Sequence, residues 1–541
     1  MKTLKRKSGK TAVQIVENYR RADSVIQKII RHLGQAANDK ELEELRRLAH
    51  AIMEDLIEER QPSLPLMRPE NFKAAQPTED TVKISNLREE QRVIDGIGDV
   101  FGKLFDDLGF GRLIRGTKTN AVWNETLKAC VLARLANPSS KRRTAALLER
   151  DFGIRIPLNR IYRLMDYIAK HEELIRQQVY HKTMGLFQDG LQVLFFDVTA
   201  LYFESFEEDG LRRFGFNCKF KETQVMLALV TTTSGLPVDY LLMPGDTSEG
   251  STLIEWLTEF KLRHKTQVRL IADRAMFSEK NLEAMEGSGV NYVVAAKLRG
   301  MPKDIKEEIL SEEGYRITVV EGQLQWYKEV CYKNRRLIVS FSAARAGKDA
   351  SDRSRLIERL MKKQKNGRLK IKELIGNRGT SKYIRVMEES IGLDTGKIEA
   401  DSLWDGIHGV ITNALPEREA AELLTAYRGL WQIEEAFRVQ KHDLKFRPVF
   451  HWSPGRIRAH IAICYIAYAI AKQALNRLEL RQIPMSFERL RDELLYAQSS
   501  ILLDISSKKR YAIASNVTEL QRSIYQTFGL KRTAAARNLS P

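Results

Sequence analysis

An aspartate stands inside an apolar, strand-like segment of the chain, and this placement limits how the segment can fold. The segment reads VLFFDVTALYFES over residues 193–205, so that Asp197 directly follows four apolar residues. A charged carboxylate is costly to bury unless a positive charge, such as a divalent metal ion, compensates it. The segment therefore predicts a strand that carries a functional carboxylate. An aspartate held by a salt bridge or a capping hydrogen bond is the alternative.

Residues 186–300 continue this pattern and predict a sheet covered on both faces. The predicted order is β-β-β-α-β-α-β, and Asp273, in LIADRAMFS, ends the fourth strand. Two aspartates at the C-terminal parts of neighbouring strands can share a metal ion. Oxygen ligands of this type suit Mg²⁺ or Mn²⁺ rather than zinc. For Asp273, a salt bridge to the adjacent Arg274 is the alternative interpretation.

A third acidic position lies on a predicted helix that begins at Ala426 and reads AYRGLWQIEEAFRVQKHDLKFRPVFH. At 3.6 residues per turn, Glu434, Arg438 and Lys441 fall on one face. The helix can therefore direct Glu434 towards a metal ion while its basic residues meet phosphate. The alternative is a surface ion pair between Glu434 and Arg438, worth about 0.3–0.5 kcal/mol.

These three motifs resemble those of DDE-type insertion-sequence transposases, in the group marked by a Tyr-x-x-Arg-x-x-x-Glu-x-x-x-x-x-x-Lys signature. Tyr427, Glu434 and Lys441 occupy three of the four signature positions, and Leu430 stands at the arginine position. Arg428 and Arg438 are candidates for supplying the missing charge. The segments FFDVTALYFES and LIADRAMFS also look like the first two motifs of the family. The resemblance covers roughly residues 80–475.

The resemblance implies an α/β fold: an RNase H-like mixed sheet with flanking helices, a β-rich insertion before the last acidic residue, and an N-terminal helical DNA-binding region. It also implies that Asp197, Asp273 and Glu434 are catalytic and hold two Mg²⁺ ions, for which Mn²⁺ can substitute. One ion would activate water and later a DNA 3′-hydroxyl, and the other would stabilise the leaving oxygen. Glu435 is the rival third ligand, but it lies about 100° around the helix, farther from Lys441.

The charge balance favours nucleic acid as the partner. The chain has 88 Lys and Arg against 70 Asp and Glu, a formal net charge of +18, and an excess of this kind favours a polyanion. Short helices within residues 80–185 suit a helix-turn-helix DNA binder. An ordinary helical bundle with a solvated basic face is the alternative. The candidate DNA-binding residues are Tyr427, Arg438, Lys441, Arg142, Arg143, Arg160, Arg163, Lys362 and Lys363.

The same patterns divide the chain into six predicted regions. Four scattered cysteines favour a reducing compartment, and no apolar run is long enough to span a bilayer, so we expect a cytoplasmic protein, associated with the nucleoid when bound to DNA. The regions are an N-terminal appendage (1–61), a helical, helix-turn-helix-like region (80–185), the first part of the catalytic core (186–300), a basic β-rich insertion (301–420), the last part of the core with the acidic helix (421–475) and a C-terminal region (476–541).

The implied function is a DNA transposase. It would bind the terminal inverted repeats of its element, cleave them by metal-dependent hydrolysis and join the 3′-hydroxyl ends to target DNA, as a homodimer and without any membrane partner. Two alternatives stay open. One is an RNase H-fold nuclease or resolvase without strand transfer, and the other is a catalytically silent, transposase-derived DNA-binding protein.

Overall fold

The computed structural model divides the chain into two compact units, residues 1–85 and 86–541, and each is described by itself. The described residues are 2–5, 11–21, 24–36, six positions of a helical segment between 42 and 53, 82–114, 118–186, 192–203, 207–215, 222–264, 268–320, 322–365, 382–386, 391–414, 419–447, 449–533 and 535–539.

The first unit contains a three-stranded antiparallel sheet in the order β1-β2-β3. Its strands are β1 Lys2–Lys5, β2 Thr11–Arg21 and β3 Ser24–Ala36. Val13 and Ile15 of β2 are buried against Ala49 of the helical segment, so that one face of the sheet forms a small core. The sequence of residues 11–21, TAVQIVENYRR, alternates as a strand does, and these residues form β2.

The second unit combines sixteen strands and fifteen α-helices in its described residues. The strands are β4 Leu87–Ile94, β5 Gln192–Tyr202, β6 Arg213–Phe214, β7 Thr223–Thr232, β8 Pro237–Pro244, β9 Val268–Ala272, β10 Asn291–Ala295, β11 Arg316–Val320, β12 Gln323–Tyr332, β13 Arg335–Phe341, β14 Ile384–Val386, β15 Ile391–Leu393, β16 Ile407–Thr412, β17 Gln498–Asp504, β18 Arg510–Ala514 and β19 Arg537–Asn538. The helices are α1 Gly102–Asp107, α2 Lys118–Ala136, α3 Lys141–Phe152, α4 Leu158–Lys170, α5 Glu172–Met184, α6 Glu249–Arg263, α7 Glu279–Gly287, α8 Lys303–Leu310, α9 Ala343–Lys365, α10 Thr395–Ser402, α11 Ala420–Arg428, α12 Trp431–Arg438, α13 Pro454–Leu480, α14 Phe487–Tyr496 and α15 Glu519–Thr527.

A ten-stranded mixed sheet forms the centre of this unit, with the strand order β11-β12-β13-β16-β10-β9-β5-β7-β6 and with β8 also paired to β7. Strand β5 is antiparallel to β7 and parallel to β9, which is parallel to β10. Alternate residues of β5 enter separate cores: Phe195 lies in one, and Leu194 and Phe196 lie in the other. The predicted α/β sheet, covered on both faces, is therefore confirmed.

Helix α13 covers one face of this sheet, and α6 covers the other. Tyr465 of α13 packs against Tyr240 of β8 with a ring-centroid distance of 4.5 Å, and Trp256 of α6 packs against Phe196 at 5.5 Å. The apolar run at residues 461–471 is thus a buried core helix, as its length predicts. Within the described residues, no helix combines the length and the apolarity that crossing a bilayer requires.

Within residues 80–185, where short helices are expected, helix α3 forms with residues typical of helix ends, but one segment is a strand. The hydroxyl of Ser140 accepts a hydrogen bond from the backbone N–H of Arg143 at 3.3 Å, so that Ser140 caps α3. Gly153, with φ +66°, ends that helix. Residues 87–94, however, form strand β4, which pairs with β17 of the C-terminal region. Because this pairing joins distant parts of the chain, local helical periodicity did not reveal it.

Strand β8 was not predicted, and it forms because the chain reverses tightly after β7. Gly235 adopts φ +74°, a conformation that glycine permits, and the two strands then pair in an antiparallel hairpin. Of the second strand predicted in this region, RRFGFNCKF over residues 212–220, the structure describes residues 212–215, and β6 covers Arg213–Phe214 among them. Strands β11–β13 extend the central sheet through β16.

Candidate active site

Asp197 and Asp273 occupy equivalent positions on two adjacent parallel strands, where the pairing between these strands ends. Phe196 of β5 pairs with Ala272 of β9. Asp197 directly follows Phe196, and Asp273 directly follows Ala272. Asp197 continues along β5, whereas Asp273 leaves β9 and begins the short 3-10 turn of residues 274–276. The strand register thus brings together the two carboxylates that the sequence separates by many residues.

Three other carboxylates act electrostatically on Asp197. Burial first, and then the negative charges of Asp273, Glu249 and Glu434, raise the pKa of the Asp197 carboxyl to about 7. A hydrogen bond from the backbone N–H of Val198, at 2.7 Å, opposes this rise. Asp197 is partly buried, while Asp273 and Glu434 are exposed. The three predicted acidic residues therefore lie within electrostatic reach of one another.

The segment that carries Glu434 lies along the face of β5 that presents Asp197. Phe195, Asp197 and Thr199 share one face because strand side chains alternate. A Cβ atom added to Gly429 would lie 2.8 Å from the Phe195 ring, so the chain passes very close to β5 there. Farther along the segment, the Lys441 ammonium donates a hydrogen bond to the Thr199 hydroxyl. Residues before and after Glu434 thus contact β5 on either side of Asp197.

The predicted continuous helix from Ala426 is wrong in its geometry. Helix α11 ends at Arg428, α12 begins at Trp431, and residues 439–443 form a π-helical turn. The close approach of Gly429 to Phe195 explains the first break. The segment nevertheless keeps an apolar side at helical spacing, since Leu430, Ile433, Phe437 and Leu444 are all buried.

The ion pair between Glu434 and Arg438, which was the alternative interpretation of this helix, is not formed. Arg438 instead makes two hydrogen bonds of 2.6 Å to the carboxylate of Glu435, and these bonds lower the pKa of Glu435. Arg438 and Glu435 therefore neutralise each other, and Glu434 has no hydrogen-bond or ion-pair partner among the described residues. This arrangement favours Glu434 over Glu435 as the third acidic ligand, which stays a prediction.

The two remaining signature residues lie near different members of the aspartate pair. Lys441 is partly buried beside Thr199, and its ammonium lies 5.4 Å from the centre of the Phe437 ring. Burial lowers the pKa of Lys441, and Asp197 acts in the opposite direction. Tyr427 lies on the Asp273 side, where burial raises its pKa to about 12. Its ring centroid is 5.2 Å from that of His408.

The candidate DNA-binding residues outside the signature have different environments. Arg142, Arg143 and Arg163 are exposed, Arg160 is partly buried, and none of these four has an ion-pair partner in the described parts of the chain. Lys141, which the sequence placed beside them, is instead only 3% exposed. Lys362 is exposed, whereas the side chain of Lys363 lies outside the described residues. Their role in DNA binding stays a prediction.

The donor chemistry of this site fits a hard divalent cation. Carboxylate oxygens are the ligands that Mg²⁺ takes, and the pKa of Asp197 is raised first by burial and then by the neighbouring carboxylates. Across the described residues, however, no three His, Cys, Asp or Glu side chains stand close enough together to hold a metal ion. The carboxylates share one electrostatic field without forming a closed ligand cage.

Sequence reasoning missed Glu249 and Thr199. Glu249 is the first residue of α6, after the capping residue Ser248, and it acts electrostatically on Asp197. From the sequence, the surrounding segment PGDTSEG was interpreted as a turn because of its glycine and proline residues. A serine cap followed by an acidic residue predicts where a helix begins. It does not predict that the helix begins near β5, since that placement depends on packing across the sheet.

Comparisons with known proteins bear on the same part of the chain. The family model "Transposase DDE domain" matches residues 188–470, just over half of the chain. The model "IS1634 family transposase, N-terminal domain" matches residues 1–62. No curated protein matches. Among solved structures, the chain is similar to one titled "Cryo-EM structure of piggyBac transposase synaptic complex with hairpin DNA (SNHP)", with 10% sequence identity and a TM-score of 0.38, covering 74% of this chain and 77% of that one.

Proposed function

Because this chain belongs to the DDE transposases of insertion sequences, we propose that it binds the terminal inverted repeats of its element, cleaves the strands there and joins the 3′-hydroxyl ends to target DNA. One observation carries the proposal: Asp197 and Asp273 follow paired residues of adjacent parallel strands, and the segment that carries Glu434 lies on the same face of β5. We further propose a homodimer that acts in the cytoplasm on both element ends.

The residues that would hold the metal ions are Asp197, Asp273 and Glu434. Two bound Mg²⁺ ions, or Mn²⁺ in their place, would supply an activated nucleophile and stabilisation of the leaving oxygen. Phe195 and the tight Gly429 turn hold the Glu434 segment against β5. A mixed sheet in which antiparallel β5, β7 and β8 are followed by parallel β9 and β10 supports an RNase H-like core for this chemistry.

Lys441 and Tyr427 would position the DNA strand on either side of the aspartates. The Lys441 ammonium is held in place by Thr199 and the Phe437 ring, so little side-chain entropy remains to be lost when a phosphate binds. Basic residues elsewhere would contact the duplex backbone, with Arg142, Arg143, Arg160 and Arg163 on the helical region and Lys362 and Lys363 near the end of α9. Their lack of ion-pair partners among the described residues supports this assignment for the first four.

The proposal is tested with DNA that flanks the gene. Footprinting should reveal inverted repeats protected by the protein. Labelled duplexes that carry these repeats should then be cut at the element end in Mg²⁺, and pre-cut ends should join to a target plasmid. If the ends are cut but pre-cut ends never join, the nuclease or resolvase alternative is correct. If the repeats are bound but neither step occurs, the protein is a silent DNA-binding relative.

Removal of divalent metal should abolish strand cleavage while duplex binding persists. EDTA should lower the cleavage rate by at least about 1,000-fold, since a metal ion contributes several kcal/mol of transition-state stabilisation. Added Mg²⁺ or Mn²⁺ should restore the rate, whereas Zn²⁺ should not. Cleavage that continues undiminished in EDTA would show that the carboxylates serve another purpose.

Lys441→Ala should slow cleavage by about 10–100-fold, because a charge-assisted contact with phosphate contributes about 1.5–3 kcal/mol. Thr199→Val, which removes only the hydroxyl that accepts from Lys441, should have a smaller effect in the same direction. Lys280→Ala is the matched control, since Lys280 is exposed on α7. Equal rates for the Lys441 and Lys280 variants in a single-turnover cleavage assay would contradict this role.

A further inference from the structure

The arginine position of the family signature cannot supply a charge in this chain. Leu430, which stands there, is only 8% exposed and packs into the large core cluster. Its two arginine neighbours are held elsewhere. Arg428 donates hydrogen bonds to the Val320 carbonyl at 3.3 Å and to the Gln325 side-chain oxygen at 2.5 Å. Arg438 forms the two hydrogen bonds to Glu435 described above.

A cavity of about 810 Å³ opens on the Asp273 side of the site. Its wall nearest the site contains Asp273, Arg274, Arg345, His408 and Tyr427. Arg345 lies in the first turn of α9, far along the chain from the signature segment. The cavity therefore brings cationic groups from two separate parts of the chain beside the signature tyrosine and the second catalytic aspartate.

The other arginines of the cavity wall already have carboxylate partners. Arg299 contacts Asp401 at 2.6 Å, and Arg353 contacts Asp405 at 2.5 Å. Lys382 also pairs with Asp401. These contacts balance the acidic residues on the wall away from the site, so that part of the cavity has little net charge to offer a ligand.

Arg274 and Arg345 differ from these residues because their guanidinium groups remain available. Among the described residues, Arg274 has no hydrogen-bond or ion-pair partner. The Arg345 guanidinium lies 3.9 Å from Asp349, a loose contact, and the side chain is 56% exposed. Both cations act on the same two rings: they lower the pKa of His408, and they oppose the rise in the pKa of Tyr427.

We propose that Arg345, together with Arg274, binds a backbone phosphate of the DNA strand at the cleavage site, in place of the arginine that the family signature would have at Leu430. A guanidinium can bind a phosphate through two parallel hydrogen bonds, which fixes the orientation of the strand as well as its position. This inference rests on the proposed function, since the phosphate is that of the DNA being cut beside Asp273.

The test compares Arg345→Gln and Arg274→Gln with Arg359→Gln. Arg359 is an exposed arginine of the same helix as Arg345 and does not line the cavity, so its substitution makes the same charge change away from the site. Binding is measured with a fluorescent duplex of the footprinted flanking DNA at several salt concentrations. The Asp197→Asn background prevents cutting during the titration. Cleavage is then measured with each variant in the wild-type background.

Loss of one phosphate contact should reduce the slope of log affinity against log salt by about 0.9 for Arg345→Gln. The cleavage rate should fall at least about 10-fold, and Arg345→Lys should recover part of it. Arg359→Gln should change neither quantity. Identical slopes and rates for the Arg345 and Arg359 variants would overturn the inference. The salt dependence of binding can be measured without any cleavage, so it tests the inference even if the wild-type protein never cuts DNA. Absence of cutting by the wild-type protein would reject the proposed function and not this inference.

Discussion

Asp197→Asn should abolish strand cleavage while the protein still binds its DNA. We expect the single-turnover rate to fall by more than about 100-fold, because even residues that merely support a metal ligand contribute 10–100-fold. Asp197 is the most buried of the three carboxylates, and it stands where the fields of Asp273 and Glu434 meet. An amide keeps the shape of the side chain but removes the negative charge that would bind the cation.

The matched control is Asp246→Asn, which makes the same chemical change at an exposed position in the loop before α6. It should cut at the wild-type rate. If Asp197→Asn also cuts at that rate, then Asp197 holds no catalytic metal ion and the proposed site is wrong. Unchanged affinity for a duplex of the flanking DNA would show that the Asp197 variant lost only the chemical step.

The pKa of Asp197 predicts how Asp197→Asn should change stability, and a stability measurement can therefore separate loss of folding from loss of catalysis. The folded-state pKa of about 7 lies above the ordinary value of 3.8. The unfolded chain therefore releases this proton more readily than the folded protein does. Ionisation of Asp197 consequently lowers the free energy of unfolding as pH rises from about 4 to 7. In EDTA at pH 8, Asp197→Asn should consequently be no less stable than the wild-type protein. Added Mg²⁺ should raise the thermal midpoint of the wild-type protein alone.

The sequence predicted the placement of the two strand aspartates better than the course of the segment that carries Glu434. The β5 and β9 segments are short apolar runs whose aspartates stand out against them, and parallel pairing then places Asp197 beside Asp273. The course of the Glu434 segment depends on a contact that no local pattern contains. Gly429 must pass close to the Phe195 ring of a distant strand, and this approach breaks the predicted helix.

The same dependence on distant contacts explains why the partners and exposure of charged side chains were predicted less well than the helices and strands. On an ideal helix, Arg438 lies one turn from Glu434, yet the real side chain reaches Glu435. Lys141 precedes two exposed arginines in the sequence but is buried, near Cys130 and Cys464 of other helices. Arg345 carried no signal at all, since its place on the cavity wall with Tyr427 depends on how distant segments of the chain pack together.

Asp239→Ala should destabilise the second unit by about 3–5 kcal/mol, the largest stability effect that we expect from one substitution. Asp239 of β8 is 2% exposed, and its carboxylate accepts hydrogen bonds from Arg176 at 2.8 and 3.0 Å and from the Trp256 indole at 3.0 Å. Arg176, on α5, has a side chain that is 7% exposed. Removing the carboxylate would leave a buried guanidinium with much less compensation.

The measurement is urea denaturation followed by tryptophan fluorescence, to which Trp256 should contribute directly because its indole contacts Asp239. Asp166→Ala is the control: its ion pair with Arg456 is on the surface, with side chains 54% and 40% exposed, and such pairs contribute about 0–1 kcal/mol. The double variant Arg176→Met, Asp239→Leu should recover much of the lost stability, because it removes both buried charges. Equal effects of Asp239→Ala and Asp166→Ala would mean that this buried pair does not fasten α5 to the sheet.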